Sequence, residues 1–278
     1  MFFTNTSPRV NTCSELHQRT CIIQAHFICI IMIASTLEQV SKKILFLDIE
    51  TVRGQKDYES LPEGMRKMWE LKAARIQAES ELSAEEKYYQ NAGIYAEFGK
   101  IVCISFGYLH YKDGILKMKV KSCYSQDEKK LLNDFKAILD TNSFEYLCAH
   151  NGREFDFPYM GRRYLINQIS LPKQLEIRDR KPWEVKHIID TMDMWKFGDW
   201  KNPTKLELLC HVFNIPTPKD DIDGSQVSSV IWEEQDLDRI AVYCEKDVVA
   251  TAQVYLRYAL LPIVHDEYIE YAERKALA

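Results

Sequence analysis

The alternation of apolar and polar positions predicts most of the elements after residue 43. Ile44-Leu45-Phe46-Leu47 runs straight into Asp48-Ile49-Glu50-Thr51. An unbroken apolar run that ends in acids predicts a buried strand. Gly99 to Tyr108 predicts a second strand. Ile115 to Val120 alternates as its return, across the two-residue turn signal Asp113-Gly114. Between the first two strands, Asp57 to Lys87 is charged and holds one β-branched residue, Ile76. That composition favours one or two exposed helices, inserted over residues 57–95. Asp127 is placed to cap a helix from Glu128 to Leu139, apolar at Leu131, Leu132, Phe135 and Leu139. A strand over Phe144 to Cys148, a helix over Phe155 to Ile166 and a strand over His187 to Thr191 follow. Leu206 to Phe213 predicts an amphipathic helix, and Gln235 to Leu260 a long one ended before Pro262. The succession predicts an α/β fold of three layers, with a central sheet flanked by helices.

Residues 1–40 do not share this regularity. Met1 to Thr20 is polar and patternless, and Cys21 to Ala34 is apolar but interrupted by Gln24 and His26. The apolar part is shorter than the roughly 20 residues of a membrane span. No A-x-A site follows it, and few basic groups precede it, which argues against a signal peptide. Residues 1–40 are therefore read as an extension outside the fold, with Met32 an alternative start. Residues 41–265 form the domain, and residues 266–278 a C-terminal tail.

Composition adds bounds rather than chemistry. At 278 residues, with 46% hydrophobic and 28% charged, the chain is an ordinary soluble globular one. The net charge of -5 does not advertise nucleic-acid binding. Bound cations and a local basic patch nevertheless let an acidic protein hold phosphate. None of the eight cysteines is two or three residues from another, so no zinc-knuckle spacing exists. Several sit in apolar runs, as buried free thiols of a reducing compartment do. These features place the protein in the cytoplasm, with no membrane partner.

Three stretches carry candidate chemistry. Side chains two apart on a strand share a face, so Asp48 and Glu50 project together from the end of a core strand. Their repulsion and lost hydration call for a divalent cation, unless the strand end simply emerges into water. The second stretch, Cys148 to Asp156, lies where a strand gives way to a helix, the place where α/β proteins put ligands. Asn151 can hydrogen-bond a substrate backbone, Gly152 lets the chain turn, and Asp156 can face the site. An ordinary helix start, with Asn151 as cap and Asp156 favoured by the dipole, accounts for the same residues. In the third, Tyr243-Cys244-Glu245-Lys246-Asp247, Tyr243 and Asp247 share one helix face. An Asp on a helix packed against a sheet wants a charged partner or a metal. The bland alternative is an exposed Asp247 beside a half-buried tyrosine.

Together the three stretches resemble the motifs of the DEDD 3′–5′ exonucleases of the tyrosine subclass: Asp-x-Glu, Asn-x₃-Phe-Asp and Tyr-x₃-Asp, in that order. The resemblance extends from about Lys43 to Tyr258. The chain is most similar to stand-alone bacterial proteins related to the proofreading domain of family B DNA polymerases. Phe98-Gly99-Lys100-Ile101-Val102 and Pro216 to Ser225 add to that likeness. It implies a ribonuclease H-like fold and two-metal hydrolysis with Mg²⁺ or Mn²⁺. Asp48 would bridge both ions, Glu50 and Asp247 would join it at the first, and Asp156 would hold the second. Tyr243 would orient the attacking water, and Thr51, Asn151 and Phe155 would grip the terminal nucleotide. Two such cations activate a water and stabilise the leaving oxygen. The implied substrate is single-stranded nucleic acid with a free 3′ end, DNA favoured over RNA. A non-catalytic nucleic-acid-binding module on the same fold is the competing reading.

Two further features complete the reading. Asp221-x-Asp223-Gly224 resembles a calcium loop, but a loop starting at Lys219 would carry Val230 at position 12, where an EF-hand needs Glu. It is read as a turn, with Lys219 near the substrate phosphates. Residues 152–186 hold eight Lys and Arg against five acids, a basic stretch able to funnel a strand toward the site.

Overall fold

A computed structural model describes residues 43–76, 82–199, 201, 203–217 and 221–274. The expectations for residues 1–40, for a start at Met32 and for Lys219 lie outside these residues. Strand β1, Ile44–Arg53, lies inside a six-stranded sheet. The other strands are β2, Gly99–Lys112; β3, Ile115–Tyr124; β4, Tyr146–Ala149; β5, Ile188–Asp190; and β6, Ile269–Tyr271. Their order across the sheet is β5-β4-β1-β2-β3-β6. The β1–β2–β3 meander is antiparallel, while β4 runs parallel to β1 and β5 parallel to β4. Helices cover both faces of this mixed sheet, the three-layer α/β arrangement that the element order predicts.

Alternation along β1 divides the core in two. Leu45, Leu47 and Ile49 pack with Leu131, Leu132, Phe135 and Leu139 of α3 (Glu128–Thr141) and with Phe157 and Met160 of α4 (Asp156–Ile166). Ile44, Phe46 and Val52 face α7 (Leu237–Tyr258), which contributes Ile240, Cys244, Val248 and Leu256. Helix α6 (Leu206–Phe213) lies behind α7, where Leu209 and Cys210 meet Ala250 and Val254. The short α5, Thr191–Lys196, follows β5 directly. The cysteines among the described residues are buried free thiols. No helix among the described residues is long and apolar enough to cross a membrane.

Several elements differ from the sequence expectation for physical reasons. Strand β2 extends further toward the turn, to Lys112, and β3 runs past Val120 to Tyr124, away from the turn. Strand β3 carries Lys117, Lys119 and Lys121, an alternation that a search for apolar runs passes over. Asp113 at φ 55° and Gly114 at φ 76° close the hairpin in the left-handed region. The helices of the insertion, α1 (Glu63–Ala73) and α2 (Ala84–Asn91), are not merely exposed. They enclose a small aromatic core in which Trp69 meets Phe98 and Tyr88 edge-on, at 5.0 and 5.5 Å between centroids. In the stretch read as a tail, Ile269–Tyr271 pairs with the outer edge of β3, which would otherwise be left open.

One buried ion pair ties α4 to the sheet. Arg163 Nε donates to Glu128 Oε1 at 2.8 Å, and its Nη2 to Oε2 of the same carboxylate. Arg163 Nη1 also donates to the Ala96 carbonyl at 2.7 Å, and the Ile101 N–H donates to Glu128 Oε1 at 2.7 Å. Replacing one member leaves the other charged, buried and unpaired. The Arg163→Met variant is therefore expected to lose about 3–5 kcal/mol of stability. Chemical denaturation measures it, and a loss under about 1 kcal/mol would mean the pair is a surface-like contact.

Candidate functional site

The site begins where β1 outruns its parallel neighbour. The β1–β4 ladder ends at Phe46 opposite Cys148, so the backbone beyond has no strand on that edge. The Ile49 N–H is instead taken by Asp156 Oδ1 at 3.2 Å. This places Asp156, the first residue of α4, beside β1. A carboxylate there also meets the favourable end of the helix dipole. On the other edge of β1, Glu50 pairs with Cys103 and Thr51 with Ile101, so β2 carries one extra residue, Val102. Bulges of this kind re-aim side chains next to active sites. Here Val102 and Cys103 both pack toward α7, on the face where Asp48 and Glu50 project.

Four carboxylates act on one another at this point. Burial raises the pKa of Asp48, and the charges of Asp247, Asp156 and Glu50 raise it further. Burial also raises that of Glu50, reinforced by Asp247 and by Asp156. Asp156 is 3% exposed and pushed up to about 7 by burial, although the N–H groups that it accepts pull it down. Among the described residues, no lysine or arginine forms an ion pair with Asp48, Glu50 or Asp156. Tyr243 is buried, and its phenol is pushed well above its ordinary pKa by burial and by Asp247, Glu50 and Asp48. It therefore stays protonated and able to donate.

Cys244 belongs to the same group, and the motif spacing gave it no role. Its thiol donates to the Asp48 carbonyl at 3.4 Å and to Asp48 Oδ2 at 3.3 Å. Burial holds that thiol well above its ordinary pKa, so it remains a donor that orients the carboxylate. Asp48, Glu50 and Cys244 each offer one ligand atom within 4.8 Å of the others. A crowded set of carboxylate oxygens suits hard divalent cations.

The turn after β4 is organised by a residue the motifs did not single out, Asp190. Its buried carboxylate accepts from the N–H groups of Asn151 at 2.9 Å, Arg153 at 3.0 Å and Met192 at 2.9 Å. Asn151, at φ 63°, supplies the left-handed residue of the turn. Gly152 is required for another reason than turning. A Cβ there would meet the Phe157 ring at 2.7 Å. His150 Nε2 donates to the Thr204 carbonyl at 3.0 Å and Nδ1 shares a hydrogen bond with the Thr191 hydroxyl at 2.9 Å, while burial lowers the pKa of the imidazole. Phe155 precedes α4 and lies on Tyr159, with 5.4 Å between centroids. Tyr159 donates to the Gly93 carbonyl at 2.8 Å, and the Thr51 side chain lies beside its phenol. Thr51 and Phe155 thus both border Tyr159.

The basic stretch over residues 152–186 is partly absorbed by the fold. Arg163 is buried against Glu128, Arg178 pairs with Glu176, and Arg153 donates to the carbonyls of Val185 and Ile188. Arg163 and Arg153 are thereby committed to the fold, while Arg178 stays at the surface beside Glu176.

The carboxyl cluster has a consequence for stability. A carboxyl with a higher pKa in the fold than in the unfolded chain keeps its proton longer in the fold. Stability is then lost as pH rises from about 3.9, the unfolded value. For Asp156 the loss is complete above about 7. A divalent cation in the cluster offsets that loss. The rise in thermal midpoint on adding Mg²⁺ or Mn²⁺ to EDTA-treated protein should therefore grow with pH across this window. A rise that is the same at both ends of the window would show that the cluster holds no cation.

Comparison with known proteins fits this geometry. No curated protein matches the chain. Among solved structures it is similar to the family B DNA polymerase from the hyperthermophilic archaeon Pyrobaculum calidifontis, at 13% identity and a TM-score of 0.45. That match covers 78% of this chain, which spans 24% of the polymerase's length. Residues 94–276, more than half of the chain, match a family of predicted 3′–5′ exonucleases related to the exonuclease domain of PolB. The matched stretch includes Asp156, Tyr243 and Asp247, and begins after Asp48 and Glu50. The chain belongs to this family of predicted exonucleases related to the exonuclease domain of PolB.

Proposed function

We propose that the protein is a metal-dependent 3′–5′ exonuclease of the tyrosine subclass, which removes nucleotides from the 3′ end of single-stranded DNA. The observation that carries this reading is the crowding of acids at one point: Asp156 lies on the β1 backbone between Asp48 and Glu50, and the charge of Asp247 helps to raise the pKa of all three. Exonuclease domains of this kind use divalent metals, and the four carboxylates are the residues that would hold two ions. The ions would supply Lewis-acid activation of water and neutralisation of the departing oxygen. Asp48 would serve both ions, Glu50 and Asp247 the first, and Asp156 the second.

The remaining residues act on the substrate directly. Tyr243, protonated and beside Asp247, would donate a hydrogen bond that orients the attacking water. Phe155 offers a ring face to the terminal base, which suits an enzyme indifferent to sequence. Thr51 and Asn151 would fix the last nucleotide, Asn151 from a turn held by Asp190.

Labelled single-stranded DNA and RNA, digested in parallel with and without Mg²⁺ or Mn²⁺, test the reading. The expected outcome is cation-dependent shortening from the 3′ end, faster on DNA. Faster RNA digestion would assign an exoribonuclease of the same mechanism. Binding without hydrolysis under all cations would assign a binding module. Asp247→Asn is expected to slow hydrolysis more than about 100-fold, the upper range for groups that only support metal ligands. Unchanged turnover in that variant would remove Asp247 from the mechanism. Tyr243→Phe, which keeps the ring and loses one donor, is expected to slow it about ten- to hundredfold while cation binding persists. Equal rates would make Tyr243 structural.

A further inference from the structure

The face of the sheet that carries Asp48 and Glu50 continues to a second, oppositely charged cluster. Val52 pairs with Lys100, so Lys100 projects toward α7 from the strand beside it. Its ammonium lies 4.8 Å from the centroid of the Trp232 ring. The Arg53 guanidinium lies 6.0 Å from the same ring and 5.1 Å from the Tyr89 ring. Trp232 sits in a π-helical turn, Val230–Glu234, and packs on the core that contains Val52, Tyr243 and Cys244. Such turns are rare and concentrate at functional sites.

This cluster is rich in donors and poor in acceptors. Arg53 Nε donates to the Lys56 carbonyl at 2.8 Å, and Lys100 Nζ to the Gln126 carbonyl at 3.3 Å. Among the described residues neither cation forms an ion pair. Asp57 and Glu233 influence Arg53, and Asp127 and Glu128 influence Lys100, without touching them. Glu128 is already engaged by Arg163. The indole Nε1–H of Trp232 is buried and meets no acceptor. A buried donor without a partner calls for a missing group. Two cations and an indole N–H around one ring ask for an oxyanion, and phosphate supplies several acceptor oxygens.

We propose that Arg53, Lys100 and Trp232 form a phosphate subsite for the single strand, beside the acids that hold its 3′ end. The proposal rests on the nuclease reading of those acids. Arg53 stands three residues beyond Glu50, about 10 Å along the strand. A polynucleotide that ends at the acids reaches the cluster with the phosphodiester of its neighbouring nucleotides. Contacts to phosphate position a strand without reading its bases.

The test is binding of a fluorescently labelled oligo(dT) in EDTA, followed by anisotropy over a series of salt concentrations. Lys100→Gln and Arg53→Gln should each weaken binding several-fold. Each should also lower the slope of log affinity against log salt by about 0.7, the value for one phosphate contact on a single strand. Trp232→Phe, which keeps a ring and removes the N–H, should weaken binding without changing the slope. Thermal unfolding checks that each variant is folded. Should Arg53→Gln unfold, Lys100→Gln and Lys100→Glu carry the test, because Lys100 is only half-buried. Folded lysine and arginine variants with wild-type affinity and slope would overturn the subsite, as would a wild-type protein that does not bind. If the predicted slopes are found but wild type hydrolyses nothing with cations present, the subsite stands and the nuclease reading fails.

Discussion

Repulsion among carboxylates midway along a buried strand, beyond the point where its parallel neighbour ends, is the constraint on which the other features depend. Asp48 and Glu50 cannot move apart, because the neighbouring residues of β1 are locked into cores on both faces. Asp156 is held to the same strand by the Ile49 N–H, and α7 brings Asp247 with a helix packed on both sides. The sheet and its two helical layers supply the stability that offsets this charge crowding. Functional sites commonly break a local rule in this way while the rest of a fold obeys it.

Around that cluster the chain uses backbone groups more than side chains to fix geometry. Asp190 gathers four N–H groups from two segments and so sets the turn that carries Asn151. A Cβ at Gly99 would collide with the Tyr159 hydroxyl and reach 2.9 Å from the Val52 carbonyl. That glycine therefore lets β2 start close against β1 and Tyr159. On the sheet face that carries Asp48 and Glu50, Lys100 lies beside Val52, and Arg53 reaches the same Trp232 ring from the end of β1. Anionic phosphates are repelled from the acids unless cations bind there, and are attracted to Lys100 and Arg53.

Much of the element order was legible in the sequence because it rests on local pattern. Helix α6 runs over Leu206–Phe213, the range its amphipathic spacing predicts. Less legible features depend on pairing at a distance. Trp69 looked like a fragment of a weak stripe, because Tyr88 and Phe98 complete its core from 19 and 29 residues further on. Ile269–Tyr271 looked like a tail, because only the open edge of β3 makes it a strand. Within the site, the three motifs marked the acids and Tyr243, since paired carboxylates are visible as letters. Asp190 and Cys244 were not visible, because they act through backbone N–H groups and through another carboxylate. Gly152 was visible for the wrong reason: Asn151 makes the turn, and Gly152 makes room for Phe157. Lys100 lay in a stretch noted only for its likeness to relatives, and its environment depends on its cross-strand partner Val52.

The central claim is that the carboxylate cluster exists to bind divalent cations. Titration of metal-free protein with Mn²⁺, read by the electron paramagnetic resonance of the free ion, tests it most directly. The account predicts uptake of two Mn²⁺ by the wild-type protein and loss of that uptake in Asp48→Ala. Uptake that is absent in wild type, or unchanged in Asp48→Ala, would contradict it.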